Sequence, residues 1–271
     1  MIRVYLSGNS IHDRVLKAFA EGCNGQLVSG WDYQPSEVAV VFGVYKSRIR
    51  ASWPRGKIIE QQRKNNLDVI ILETGYINRG DEENHHYAAG WNGLNGRADF
   101  KNKDMTDERW RMLNTALRPY SPGKNVVLCA QVPWDASVDH HDHLKWVKTT
   151  ASQIKKLTNR RCIFRPHPLA GDAVPVPYDW EVSNLPLDEE LKDAHAVVTF
   201  NSNSAVEALV YGKPVWAFDE GSMVWNVCNR SLLNLETPEY HRRERWAHDL
   251  AYAQWTLDEM KQGLAWKHLS R

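Results

Sequence analysis

The stretch TFNSNSAVEALVYGKPVWAFD, Thr199 to Asp219, constrains the fold more than any other part of this chain. Ala196 to Phe200 is an apolar β-branched run, and Ala205 to Tyr211 carries apolar residues at helical spacing. Asn201, Ser202, Asn203 and Ser204 supply a cap between them. Gly212 ends the helix, and Lys213-Pro214 launches a second strand. A turn of this composition exposes backbone N–H groups at a helix N-terminus, which is where phosphates bind. Glu207 lies one turn inside the helix, on the side facing a ligand at its start. A carboxylate there can accept both hydroxyls of a ribose. The same pattern also serves as an ordinary αβ turn with a good cap.

The flanking sequence repeats the theme. Ile2 to Ser7 alternates into Gly8-Asn9-Ser10 and a helix from Ile11 to Glu21; Glu37 to Val44 and Leu67 to Glu73 are strands around a helix from Lys57 to Asn65. Residues 78 to 103, rich in Gly, Asn and charge, show no steady period and read as a functional loop. A helix from Thr106 to Leu117 precedes a linker, Arg118 to Lys124, with two prolines and a glycine. Val126 to Pro133, a helix from His143 to Thr158, Arg161 to Arg165 and a short helix from Leu187 to Asp193 form a second α/β half. Glu244 to Leu269 reads as one long, Trp-rich helix crossing back to the first half. The expected fold is therefore α/β, with two Rossmann-like halves and a cleft between them. The halves are residues 1–118, joined by 244–271, and residues 124–243.

Composition narrows the function classes. With 34 Lys+Arg against 33 Asp+Glu, the chain has no basic nucleic-acid coat, so any such contact is a local patch. No apolar run approaches the roughly 20 residues of a membrane span, and MIRVYLSGNS lacks a signal-peptide core, so a cytoplasmic protein is expected. Cys23, Cys129, Cys162 and Cys228 are too widely spaced for a zinc knuckle or a disulfide framework. The 12 Trp serve more often to seal helix-on-sheet layers than to stack on bases.

Several residues can do chemistry. Arg165 and His167, in RPHP at a strand end, can converge on a ligand gripped by Ser202, Asn203 and Ser204. Arg offers a phosphate clamp and His a donor to a leaving phosphate. Gln131 to Ser137 ends at the same edge and can touch a base or a sugar. The run DHHDH, Asp139 to His143, looks metallic but lacks a spaced third ligand, so no metal is assigned. In the first half, LETGYINR places Glu73 at a strand end, as a general base, a nucleophile or a structural acid paired with Arg79 or Arg97; Asp99 is a further acidic candidate. Arg48 and Arg50 flank Trp53 in a basic loop that suits a nucleic-acid backbone with a stacked base, or is simply solvated, and Arg79 joins them as an acceptor-side candidate.

RPHP followed by NSNSAVEALVYGKPV, with LETGYINR upstream, resembles the capsule polysaccharide synthesis family and related Kdo-type transferases. These are two-domain GT-B glycosyltransferases with an E-D-G-F-x-R-like segment, a basic residue before His-Pro, and a Ser-rich turn with a helix glutamate and G-K-P. The resemblance implies that His167 and Ser202 to Ser204 bind the donor phosphate or diphosphate and Glu207 the ribose, with a UDP-sugar or CMP-sugar as co-substrate and no separate cofactor. The chain departs from the family in carrying Thr74 at the Asp position and Asn78 before Arg79. Its HHYAAGWNGLNGRADF segment looks like that of small phage-encoded proteins, among them transferases that glycosylate hydroxymethylated pyrimidines such as hydroxymethylcytosine in DNA. Transfer to such DNA in the host cytoplasm is the leading expectation. The alternatives are a surface-polysaccharide acceptor, a nucleotide-sugar epimerase, and a non-catalytic nucleotide- or DNA-binding module.

Overall fold

The computed structural model describes residues 1–29, 32–44, 54–79 and 85–271. The chain divides into two α/β units, Met1–Leu113 with Ala247–Arg271, and Asn114–Trp246. No helix among the described residues is long and apolar enough to cross a membrane.

The first unit opens with β1 (Ile2–Tyr5), α1 (Ser10–Cys23), β2 (Gln26–Val28), β3 (Val38–Phe42), α2 (Pro54–Lys64), β4 (Asp68–Thr74), β5 (His86–Trp91) and α3 (Glu108–Met112). β1 pairs in parallel with β2 and β3, and β3 with β4. Alternate side chains pack to opposite faces: Val4, Val40, Phe42, Ile70 and Leu72 join the α1 side, while Tyr5, Val41, Val69 and Ile71 join Ile58 and Ile59 of α2. Burial on both faces is why these strands read as continuous apolar runs.

The stretch read as an irregular loop from residue 78 to 103 instead contains β5, which runs antiparallel along β4. Ala88, Ala89 and Gly90 have low strand propensity, so the pattern concealed it. Packing demands the glycine, because a Cβ on Gly90 would come within 2.7 Å of the Phe100 ring. The helix expected from Thr106 to Leu117 is only α3, and Asn114 takes a left-handed φ of 50° just beyond it.

The second unit holds β6 (Asn125–Cys129), α4 (His143–Leu157), β7 (Cys162–Arg165), β8 (Glu181–Val182), α5 (Leu187–Lys192), β9 (Ala194–Thr199), α6 (Ser204–Tyr211) and β10 (Val215–Ala217). Its sheet, in the order β10-β9-β6-β7-β8, is parallel throughout. The chain starts at β6 in the middle, builds β7 and β8 on one side, then returns to place β9 and β10 on the other. The connections leaving β6 and β9 therefore run in opposite directions, which makes the carboxyl ends of these two strands the topological switch point of the sheet.

Gly212 ends α6 at φ 89°, and a Cβ there would meet the Pro119 carbonyl at 2.3 Å. Lys213, buried, donates from Nζ to Ser121 O, Ser121 Oγ and Lys192 O at 3.0, 3.1 and 3.2 Å. Burial holds its pKa below the ordinary lysine value. Thus Gly-Lys-Pro is a structural clasp on the segment before β6. Trp216, without exposed surface, donates to Ser231 O, and Trp246 donates to Met223 O, which are sealing roles. All four cysteines are free and buried.

The C-terminal stretch returns to the first unit, but not as the single helix expected. It comprises α7 (Glu244–Ala251), β11 (Gln254–Thr256), α8 (Leu257–Lys261) and α9 (Leu264–Leu269). β11 adds antiparallel to β5, giving the order β11-β5-β4-β3-β1-β2. Two local signals break the helix: Thr256 and Glu259 form a capping box, and Gly263 adopts φ 76°. α8 lies so close to α1 that a Cβ on Gly22 would be 1.9 Å from the Met260 carbonyl.

Candidate functional site

Strand register brings the second unit's motifs together. Cys129 at the end of β6 pairs with Arg165 at the end of β7 and with Thr199 at the end of β9. His167 and Ser202 thus follow from the two strands that flank β6, at the same carboxyl edge of the sheet. Thr199 Oγ1 donates to Cys129 O at 3.1 Å and receives the Ser202 N–H at 3.4 Å, while Ser202 Oγ receives the Ser204 N–H at 3.2 Å. The last two bonds are long, so an anion could displace them from the amides. Asn203, at the cap position, makes no side-chain cap bond and donates from Nδ2 to Glu207 Oε1 at 3.3 Å. Glu207 is exposed on the first turn of α6.

The Cys129 thiol registers the charges around it. Burial pushes it up to about 11, opposed by the Ser204 hydroxyl and Arg165 and reinforced by Glu207 and Glu190. His167 Nδ1 accepts the Leu169 N–H at 3.1 Å, so the neutral ring carries its proton on Nε2. Arg165 Nη1 donates to Ser183 Oγ and Leu185 O, bracing the loop after β8.

Behind the turn runs a buried polar network that sequence reasoning missed. Asn201, grouped with the cap on composition, points inward. Its N–H reaches Gln131 Oε1 at 3.0 Å, its Oδ1 accepts from Gln131 Nε2 at 2.7 Å, and its Nδ2 donates to Ser137 O and Asp219 Oδ1, both at 2.8 Å. Asp219 Oδ2 lies 3.0 Å from His140 Nε2. The histidines of DHHDH part company: His140 meets Asp219, His141 stacks on Phe200 at 4.8 Å, and His143 Nε2 accepts the Gln131 N–H at 2.9 Å. Among the described residues no group of three His, Cys, Asp or Glu side chains converges to hold a metal ion. An open depression lined by Lys156, Thr158, Arg160 and Glu236 lies before β7, at the opposite edge of the sheet.

In the first unit the loop after β1 is filled by its own carboxylate. Asp13 accepts from Ser7 N at 2.6 Å, Ser7 Oγ at 2.8 Å and Gly8 N at 3.1 Å, leaving that loop no vacancy for a phosphate. Glu73, half-buried at the end of β4, receives the Thr74 N–H at 2.8 Å. A Cβ on Gly43 (φ 72°) would lie 2.8 Å from Arg55 Nη1 and 3.4 Å from Glu73 Oε2, so buried Arg55 shares that corner. His12 stacks on Phe42 at 4.2 Å, and burial, then Arg55, lowers its pKa. Neither His12 nor Arg55 carries a local motif that marks it. Burial raises the Tyr76 phenol, Glu73 adds to this and Arg79 opposes it, so LETGYINR folds its two charges around one ring. Gln254 of β11 pins this turn by accepting the Tyr76 and Ile77 N–H groups at 2.6 and 3.0 Å.

Asp99 is largely exposed, receives the Lys101 N–H at 2.9 Å and pairs with Lys101 Nζ at 2.7 Å. Burial would raise its carboxyl, but Lys101 brings it below the usual range. That is the geometry of a turn clamp. Arg48, Arg50 and Trp53 lie outside the described residues.

No protein-family model matches the chain, and no curated protein matches it by sequence. Solved structures do. The β-Kdo 2,4-transferase of Thermosulfurimonas dismutans KpsC aligns over 93% of this chain and 89% of its own, with TM-score 0.60 and 13% identity. The β-Kdo 2,7-transferase of the same KpsC aligns over 100% and 99%, with TM-score 0.58 and 14% identity. At such identities the likeness establishes the fold alone, two α/β units of the GT-B-like class.

Proposed function

We propose that the protein is a glycosyltransferase that holds a nucleotide sugar on its second unit and transfers the sugar to a surface-glycan acceptor, as a Kdo-type enzyme would. What supports this reading is that His167 follows β7 while Ser202, Ser204 and Glu207 follow β9, all at the carboxyl edge of one parallel sheet. The α6 N-terminus and the His167 Nε2–H offer positive dipoles to a departing phosphate. Glu207 accepts the ribose hydroxyls. The KpsC likeness supports Kdo as the sugar, from a CMP- or UDP-linked donor. Glu73 serves as the acceptor-side carboxylate, orienting the hydroxyl or attacking the anomeric carbon, whereas the Lys101 clamp on Asp99 favours a structural role there.

A DNA acceptor gains no support from the described residues. Of the two segments that suggested it, one is β5 and its following turn, part of the first sheet, and the basic loop around Trp53 lies outside the described residues.

Donor recognition is testable at Glu207. Each hydrogen bond to a charged group contributes about 1.5–3 kcal/mol, so Glu207→Ala is expected to weaken nucleotide-sugar binding about ten- to a hundredfold without unfolding the chain. Calorimetric titration with CMP- and UDP-sugars reads this directly, and unchanged affinity in the folded variant would sink the ribose assignment. Mass spectrometry of Kdo-terminated glycans and hydroxymethylated DNA, each incubated with donor, separates the two acceptors by which one gains a sugar.

A further inference from the structure

Trp134 is the one exposed tryptophan among the described residues, at 55% exposure, whereas Trp110, Trp146, Trp180, Trp216, Trp246 and Trp255 are buried. Its indole makes no hydrogen bond or ring contact with any other described residue. The side chain stands on the connection leaving β6, in a tight turn closed by the Asp135 N–H on Val132 O at 3.0 Å. Pro133 and Trp134 are the central residues of that turn, and proline suits the first of these positions because its ring fixes φ. Beyond the turn, Asp135 Oδ1 accepts the Ser137 N–H at 2.8 Å and Asp135 O accepts the Val138 N–H at 3.0 Å. Both ends of the loop are tied to one residue of the neighbouring strand's exit. Gln131 exchanges hydrogen bonds of 2.7 and 3.0 Å with Asn201, and Ser137 O accepts from Asn201 Nδ2 at 2.8 Å. Asn201 directly precedes Ser202. Trp134 is three residues from each anchor, so its Cα lies within about 11 Å of the Cα of both Gln131 and Ser137, a span on the order of one nucleotide.

We propose that Trp134 is the platform on which the nucleobase of the donor stacks, with the phosphate at the Ser202 turn and the ribose on Glu207. An indole left in water forgoes the burial that tryptophan ordinarily gains, and here a hydrogen-bonded loop holds it out with a bare π-face. A ring fixed in advance loses little freedom when a base settles on it. Stacking tolerates any base, because each has a π-face of its own, so the platform takes cytosine and uracil alike. The inference rests on the donor-site reading above and adds the residue that recognises the third part of the nucleotide.

The test is calorimetric titration of the full chain with CMP and with UDP, carried into the variants with whichever the wild type binds more tightly. Trp134→Ala is expected to weaken that nucleotide about five- to a hundredfold, the range for removing one aromatic ring from beneath a base. Trp134→Phe keeps a π-face and should stay within about threefold of the wild type, a rescue that a merely structural side chain would not show. A loss below about fivefold in folded Trp134→Ala overturns the platform and leaves the phosphate and ribose assignments standing. Equal losses in the Ala and Phe variants overturn it as well, since the effect would then come from the loop and not from the ring face. A wild-type chain that binds neither nucleotide overturns the donor-site reading itself, and the platform with it.

Discussion

Arg109→Ala is expected to destabilise the first unit by about 3–5 kcal/mol, the range for removing one partner of a buried ion pair. Arg109 is only 8% exposed and donates to both Glu259 oxygens, at 2.6 and 3.1 Å, and to Ala251 O and Gln254 O at 3.1 and 2.9 Å. Its guanidinium also stacks 3.9 Å from the Trp255 ring centroid. One side chain thus fastens α7, β11 and α8. Burial alone would raise the Glu259 carboxyl, but the Arg109 hydrogen bond and charge bring it below its ordinary value. A depressed folded-state value means the pair's contribution is present above the unfolded carboxyl range and lost as pH falls through the folded value. The deficit in Arg109→Ala should therefore be large at neutral pH and shrink in acid, where the stranded carboxylate protonates. Denaturant unfolding at pH 7 and pH 4 checks both parts, and a loss below about 1 kcal/mol at neutral pH would reduce the clamp to an ordinary surface pair.

Acid should weaken the second unit through His143. The ring is buried, stacks on Trp146 at 5.4 Å, and needs a bare Nε2 to receive the Gln131 N–H. Burial, then the His141 charge, lowers its pKa from 6.5 to about 4. Because the folded value is the lower one, the stability it contributes is complete above pH 6.5 and is lost as pH falls towards 4. The full loss is on the order of 3 kcal/mol. His143→Gln keeps an acceptor oxygen and removes the titration, so its stability should fall less between pH 7 and pH 4 than that of the wild type. Thermal unfolding of both proteins across that range decides the matter, and parallel slopes would assign the acid sensitivity elsewhere. Since Gln131 also holds Asn201 beside Ser202, nucleotide affinity of the wild type should decline over the same interval.

The candidate site was legible in part because its proposed chemistry is carried by a local motif. Ser202, Ser204 and Glu207 belong to one turn and one helix, and spacing alone located that turn and that helix. Nothing in the local pattern around Arg165 revealed the Ser183 hydroxyl and the Leu185 carbonyl that receive its Nη1. His140 and Asp219 are 79 residues apart, and only the parallel order of β6, β9 and β10 makes them neighbours. Asn201 looked like the cap residues beside it because composition does not reveal which way a side chain turns.

The sequence by itself determined the α/β character of both units, the β9–α6–β10 crossover with its left-handed Gly212 stop, and the parallel strands whose two buried faces demand β-branched runs. These features follow from residue-by-residue preferences for backbone conformation and burial, which act over a few positions. Tertiary structure alone decided that Ala-Ala-Gly forms a strand, through its antiparallel pairing with β4 and β11, and the Phe100 ring leaves no room for a side chain at Gly90. It also paired β11 with β5, setting Gln254 against the Tyr76 N–H across 178 residues. Pairings at such separation are fixed by the summed packing of the whole unit, and no short window of sequence contains that sum.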